Sequence, residues 1–362
     1  MVIWSLLKIG IMSTWNVTCG IALHAETLAR CWVRKGHNVT VFAPYEWRRP
    51  LHSKDEPYVK RCYTLPQDYP YLNLKKISNE KIFDDESFSS DFDVFLVEGL
   101  NMMPMKKLME VWNQIRHRAK TLLVIHEAYA PSDPIFKHFE FDAIICFDER
   151  YKKAFLDSLY PSSKIHVIPY PCHPLKKGNK LKARKELGLP PNKKIIFSYG
   201  LGVFRNIHLL PMMKRLSDKL PILFLLVTEI ENWYQLFEIL KSRYNFIDLR
   251  KSCLPTENIY KYLHASDLLL IHRDWKQGVV LSSTIRMCLG SLCPILVQDT
   301  NFVEDLNGEV IKYRTADLDQ KLENLLAGRA NIRDGLDKAE RFVKRYSSEV
   351  IAKDFLNLFN QL

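Results

Sequence analysis

No stretch of the 362 residues approaches the roughly 18 consecutive apolar residues that carry a helix across a membrane. The apolar runs are short, and those at Ile195–Phe197 and Ile222–Val227 read as buried strands. The apolar start Met1–Leu7 is interrupted by Lys8 and runs into strand-like Ile9–Met12, with no small-residue cleavage site, so it does not read as a secretory signal. The two glycosylation sequons, at Asn16 and Asn38, are then chance matches. None of the eight cysteines (Cys19, Cys31, Cys62, Cys146, Cys172, Cys253, Cys288, Cys293) forms a C-x-x-C pair, and their spacing fits no zinc site. Buried free thiols in a reducing compartment are expected, and with them a cytoplasmic protein. Also missing are G-x-G-x-x-G, the P-loop, H-E-x-x-H and G-x-S-x-G. Asp91-Phe92-Asp93 fits a D-x-D metal motif, but Asp93 opens a strand, so no metal site is assigned. The 16 Tyr, 19 Phe and 7 Trp do not interleave with basic residues in one strip, which argues against a nucleic-acid partner.

What is present begins with charge. Lys and Arg number 52 against 41 Asp and Glu, a net +11. A basic surplus suits polyanions: nucleic acid, an anionic bilayer or phosphorylated small molecules. A merely soluble, lysine-rich surface accounts for it equally well. With 47% hydrophobic residues a disordered chain is excluded. The length fits about two domains.

Strand and helix patterns alternate along the whole chain. Strands are expected at Lys8–Met12, Val39–Ala43, Asp93–Val97, Thr121–Ile125, Ala143–Phe147 and Ile165–Ile168, and helices at Ile21–Lys35, Met105–Arg118 and Glu149–Leu159. A stretch rich in Pro and Lys, Pro169–Lys185, reads as a linker. The alternation then restarts, with strands at Lys194–Tyr199, Leu223–Val227, Phe246–Leu249, Leu268–Ile271 and Ile295–Val297, and a helical tail from Asn331 to Leu362. The expected fold is α/β: two Rossmann-like, doubly wound parallel sheets facing a central cleft. The boundaries read as an N-terminal domain 1–172, a linker 173–182, a second domain 183–335, and a C-terminal helix 336–362 packing back on the first domain.

Ligand-binding candidates are residues at carboxyl strand ends and helix starts. Gly20 precedes a helix where a backbone approaches a ligand closely, or it is a simple turn glycine. Gly200 and Gly202, then Arg205, offer backbone N–H groups and a fixed cation for a phosphate; the plain alternative for Arg205 is a solvated arginine. Ser282 and Ser283 open a helix and either bind a phosphate oxygen or cap it. Arg286, one turn on, reaches the same place or pairs at the surface. His126, Glu127 and Glu98 follow strands, His126 being otherwise a satisfied core residue.

These elements, in order, resemble a GT-B glycosyltransferase of the large retaining, nucleotide-sugar-dependent group (glycosyltransferase family 4-like). The resemblance rests on Thr14–Ala22 with the helix ending Lys35-Gly36-His37, on Ile165–Pro169, on Ile196–Ile207, on Ala265–Leu268 and on Ser282–Asp299. It implies transfer of a sugar from a nucleoside diphosphate sugar to an acceptor hydroxyl, with retention and without metal or other cofactor. Donor binding then falls to Gly200, Gly202, Arg205, Asn206, Ser282, Ser283 and Arg286. Acceptor binding falls to Gly20, Glu98 and Glu127, and catalysis to His126 and Arg205. The acceptor is a sugar, a lipid-linked glycan or a protein glycan. A basic first half (Arg48, Arg49, Lys60, Arg61, Lys75, Lys76, Lys106, Lys107) suggests peripheral docking on an anionic membrane. The sequence departs from the family in three ways. The pair of glutamates eight apart falls on Val279 and Met287, or on Gln277 and Ile285. Leu292 replaces a common glycine on the first of these registers. A basic residue falls on Leu201. A non-catalytic GT-B protein that binds a nucleotide sugar or a partner protein is the alternative.

Overall fold

The computed structural model describes residues 6–45, 51–65 and 83–362. The chain divides into two compact units. The first is Met1–Pro171, Gln277–Val280 and Ser348–Leu362, and the second is Cys172–Lys276 and Leu281–Ser347.

The first unit is built on β1 (Lys8–Met12), β2 (Asn38–Pro44), β3 (Val59–Tyr63), β4 (Val94–Glu98), β5 (Lys120–Val124), β6 (Ala143–Cys146) and β7 (Ile165–Val167). Their order is β3-β2-β1-β4-β5-β6-β7, and every ladder is parallel. Helices cover both faces of such a sheet, so its central strands are apolar throughout; all five residues of β4 are buried, Glu98 among them. Strand β3 was not anticipated, because Lys60 and Arg61 break its apolar run. An edge strand tolerates this, being half-buried, with β2 as its one ladder neighbour among the described strands.

Helix Gly20–Arg34 connects β1 to β2 and buries Ala22, Ala25, Leu28, Ala29 and Trp32. It packs on helix Ser348–Phe359. Trp32 Nε1 donates to the Ala352 carbonyl at 3.0 Å, and the rings of Phe355 and Phe359 lie 5.9 and 5.5 Å from Trp32. The tail expected as one helix is two, Arg333–Arg345 and Ser348–Phe359, and only the second belongs with the first unit. The apolar residues decide this: Ile351, Ala352, Phe355 and Phe359 are buried, whereas Arg333–Arg345 buries only Ala339 and Val343.

The second unit contains β8 (Lys194–Tyr199), β9 (Ile222–Thr228), β10 (Ile247–Lys251), β11 (Leu268–Ile271), β12 (Ile295–Gln298) and β13 (Ile311–Tyr313), ordered β10-β9-β8-β11-β12-β13 and all parallel. Its core includes fully buried Ile196, Phe224, Leu226, Leu270, Leu296 and Tyr313. The expected linker ends early: helix Lys180–Glu186 starts within it, capped by Asn179, whose Oδ1 accepts from Lys182 N at 2.9 Å. Two of its basic residues converge on Asp267, Arg184 at 2.7 Å and Lys180 at 2.9 Å. Part of the basic surplus is therefore structural.

Each sheet reverses its strand order once, between β1 and β4 and between β8 and β11. Loops leaving the carboxyl ends of the strands diverge there and open a crevice. None of the eight cysteines forms a disulfide, and six of them are buried. Among the described residues no helix is long and apolar enough to cross a membrane.

Candidate active site

In the first unit the reversal point collects three titratable side chains. Glu98 ends β4, His126 follows β5 by two residues, and His24 projects from helix Gly20–Arg34. His24 Nδ1 lies 3.0 Å from both Glu98 oxygens, and His126 Nε2 lies 2.7 Å from Oε2. His24 is fully buried, ringed by Phe147, Tyr170 and Phe355, and its Nε2 has no hydrogen-bond partner among the described residues. Burial alone would raise the Glu98 pKa, but the two imidazoles outweigh it and hold the carboxyl down at about 2. Burial lowers the His24 pKa, against the pull of Glu98. At neutral pH Glu98 is thus a carboxylate accepting an N–H from each imidazole. The Nε2 proton of His126 is thereby directed at Glu98.

The three residues also offer one ligand atom each within 4.8 Å of one another, the donor set of a two-histidine, one-carboxylate metal site. The hydrogen bonds to Glu98 account for the arrangement without such an ion.

Glu127 plays a different part from the acceptor-side carboxylate expected. Its Oε1 accepts from Asn101 N and its Oε2 from His126 N, each at 3.0 Å, so both oxygens hold loop backbone. Gly20 begins the helix, and its carbonyl accepts from the Tyr170 hydroxyl at 2.6 Å. His24 was missed in the sequence. The available signal was its place on the stripe of Leu28 and Trp32, where a buried imidazole requires a polar partner.

In the second unit, Gly200 follows β8 with φ of +87°, and nothing lies within 4 Å of where a Cβ would stand. Its N donates to Val227 O at 2.9 Å. Arg205 folds back so that its Nη1 is 3.1 Å from a Cβ built on Gly202. Its guanidinium lies 4.6 Å over the Phe204 ring, which stacks on Trp233 at 4.6 Å. Its one ion pair, Nε to Asp274 at 3.4 Å, reaches a carboxylate that is 72% exposed.

The other expected donor residues turn inward. Asn206 is buried and donates to Ser198 Oγ at 2.9 Å. Ser282 caps helix Ser283–Leu289, its Oγ accepting from Ile285 N at 3.3 Å. Ser283 is the first residue of that helix and is half-buried. Arg286 is 3% exposed; it pairs with Asp305 and donates to Ser282 O at 3.1 Å. The reach expected of Arg286 is replaced by a fold-internal ion pair, since one helical turn past Ser282 carries it into the packed interior. Of the basic residues expected to face a membrane, Arg61 is held by Asp55 and Lys107 by Glu110. Arg48, Arg49, Lys75 and Lys76 lie outside the described residues.

The whole chain is similar to solved glycosyltransferase structures. HepE of Anabaena, in complex with UDP and glucose, aligns with a TM-score of 0.67 at 13% identity, covering 98% of this chain and 100% of that one. Sucrose-phosphate synthase of Thermosynechococcus elongatus aligns with a TM-score of 0.67 at 15% identity, covering 98% of each. The catalytic domain of starch synthase IV from Arabidopsis thaliana, bound to ADP and acarbose, aligns at 0.62 and 14% identity over 99% of each. The fold is that of GT-B glycosyltransferases. Residues 18–173 match the model of Glycosyltransferase Family 4.

Proposed function

We propose that this protein transfers a sugar from a nucleoside diphosphate sugar to an acceptor hydroxyl, with retention and without a metal ion. The observation that carries the reading is the division of chemistry between the two reversal points. The second unit presents an open glycine loop and a half-exposed arginine, the groups a diphosphate needs. The first presents an imidazole whose Nε2 proton is directed at a buried carboxylate. HepE was solved with UDP and glucose and starch synthase IV with ADP and acarbose, which supports a nucleoside diphosphate as part of the donor.

Bond breaking sends the glycosidic electron pair to the diphosphate, and Arg205 stabilises the charge that develops there. The acceptor oxygen bonds to the anomeric carbon on the face the diphosphate leaves, and its proton goes to a departing phosphate oxygen. His126 Nδ1 accepts a hydrogen bond from a sugar or acceptor hydroxyl and orients it. Gly200 and Gly202 supply the close backbone approach. Glu98 acts through His126.

The test is a thermal-shift screen against UDP-, ADP- and GDP-sugars, followed by product analysis with the stabilising donor. No shift with any donor, at concentrations that saturate related folds, overturns the reading. Treatment with EDTA leaves transfer unchanged; a loss restored by a divalent ion would make His24, Glu98 and His126 a metal site instead. The acceptor side of the proposal includes a glycan carried on an anionic membrane. Cosedimentation with vesicles that ignores lipid charge and salt overturns that part.

A further inference from the structure

A second guanidinium stands at the carboxyl edge of the second sheet. Arg273 lies two residues beyond β11, the strand that pairs with β8 at the reversal point. Its neighbour Asp274 is the residue that contacts Arg205. Arg205 and Arg273 therefore leave adjacent parallel strands at the same end of the sheet and meet around one loop.

The two are held alike. The Arg205 guanidinium lies over Phe204 at 4.6 Å and that of Arg273 over Phe302 at 4.4 Å. An aromatic face positions a guanidinium through its π surface and leaves the in-plane N–H groups free. For Arg273 those groups remain unfilled. Among the described residues it makes no hydrogen bond and no ion pair, although it is half-buried. Among the described residues the other arginines that the fold draws inward have acceptors, among them Arg184 with Asp267, Arg286 with Asp305 and Arg61 with Asp55. Desolvation and the charge of Arg205 both lower the Arg273 pKa. Around the pair stand His208 and His272, with Asp274 as the nearby carboxylate. Two like charges kept together, one of them shielded from water and unpaired, are costly in the free protein and favourable once an anion bridges them.

We propose that Arg273 is a second diphosphate-binding residue of the donor site, which clamps the leaving group from the end of β11 while Arg205 holds it from the end of β8. This rests on the glycosyltransferase reading above and adds a residue that the sequence did not single out. Asp274 occupies Arg205 in the free protein and yields to the diphosphate. One arginine on each side of two linked phosphates recognises a diphosphate over a monophosphate, because only the former reaches both.

The experiment is calorimetric titration of the full chain with UDP, ADP and GDP, the matching monophosphates and inorganic pyrophosphate. Wild type binds at least one diphosphate; binding of none overturns the glycosyltransferase reading itself. Where wild type binds, Arg273→Gln weakens diphosphate and pyrophosphate affinity on the order of ten- to hundredfold and leaves monophosphate affinity nearly unchanged. Arg273→Lys recovers part of the loss. Diphosphate affinity equal in wild type and Arg273→Gln overturns the inference while the glycosyltransferase reading stands. A second measurement needs no variant. Arginine-selective phenylglyoxal labelling of wild type, read by mass spectrometry, is slowed at Arg273 by saturating pyrophosphate. Labelling of Arg273 at the same rate with and without pyrophosphate also overturns it.

Discussion

The two sheets reverse direction in the same way but equip their reversal points differently. In the first unit the charges are satisfied by one another: Glu98 accepts from His24 and His126, and Glu127 from two backbone N–H groups. In the second, Arg205 has one exposed partner and Arg273 has none among the described residues. Under the proposed function, preorganisation accounts for the difference. A group that orients a neutral hydroxyl must be held in place before substrate arrives, and neighbouring side chains do this. A group that binds a diphosphate must keep its donors unfilled, because the ligand completes the pairing.

This contrast breaks most visibly at Arg205. Arg205→Ala is expected to lower kcat/KM for transfer by on the order of 10²–10³-fold, with the melting temperature of the free protein little changed. A loss of stability in place of a loss of donor binding would make Arg205 part of the scaffold and erase the distinction. Glu98→Gln tests the other half. Transfer should fall about 10²-fold, while the stabilisation conferred by the donor is retained. Impaired donor binding in this variant would mean that the two halves are not separable.

Acid unfolding sharpens the comparison further. The Glu98 pKa, about 2, lies below its ordinary 4.5, so its contribution is present above pH 4.5 and is lost as pH falls toward 2. The His24 pKa is lowered from 6.5, so its contribution too is lost as pH falls below 6.5. Both groups sit in the first unit, which should unfold first on acidification, with about 3 kcal/mol resting on Glu98. Hydrogen exchange resolved along the chain checks this, and earlier loss of protection in the second unit would contradict it.

The last test concerns Glu26. It is buried, and burial raises its pKa from 4.5 to about 7, offset in part by Arg30. Its contribution is present below pH 4.5 and is lost as pH rises through 7, the opposite sense to Glu98. Glu26→Gln should therefore steepen the decline in stability between pH 7 and pH 4.5. Denaturant midpoints at those two pH values measure it, and an unchanged slope would remove Glu26 from the account.

Much of this was open to a reader of the chain alone. Alternation of apolar runs with amphipathic segments determined the parallel α/β architecture, because strands covered on both faces must be apolar throughout, as Val94–Val97 and Ile222–Val227 are. Glu98 and His126 were singled out because carboxyl strand ends are where parallel sheets place ligands, and Arg205 because it follows the Gly200–Gly202 loop. Local sequence did not reveal which charged groups the fold consumes. Arg286 and Arg273 look alike in the chain, yet the first finds Asp305 and the second does not. Lys60 and Arg61 concealed an edge strand that exists by pairing with β2. His24 joined Glu98 across 74 residues. Periodicity is a local property carried by each segment. Whether a charge is neutralised depends on what distant chain brings against it, and only the tertiary structure decided that.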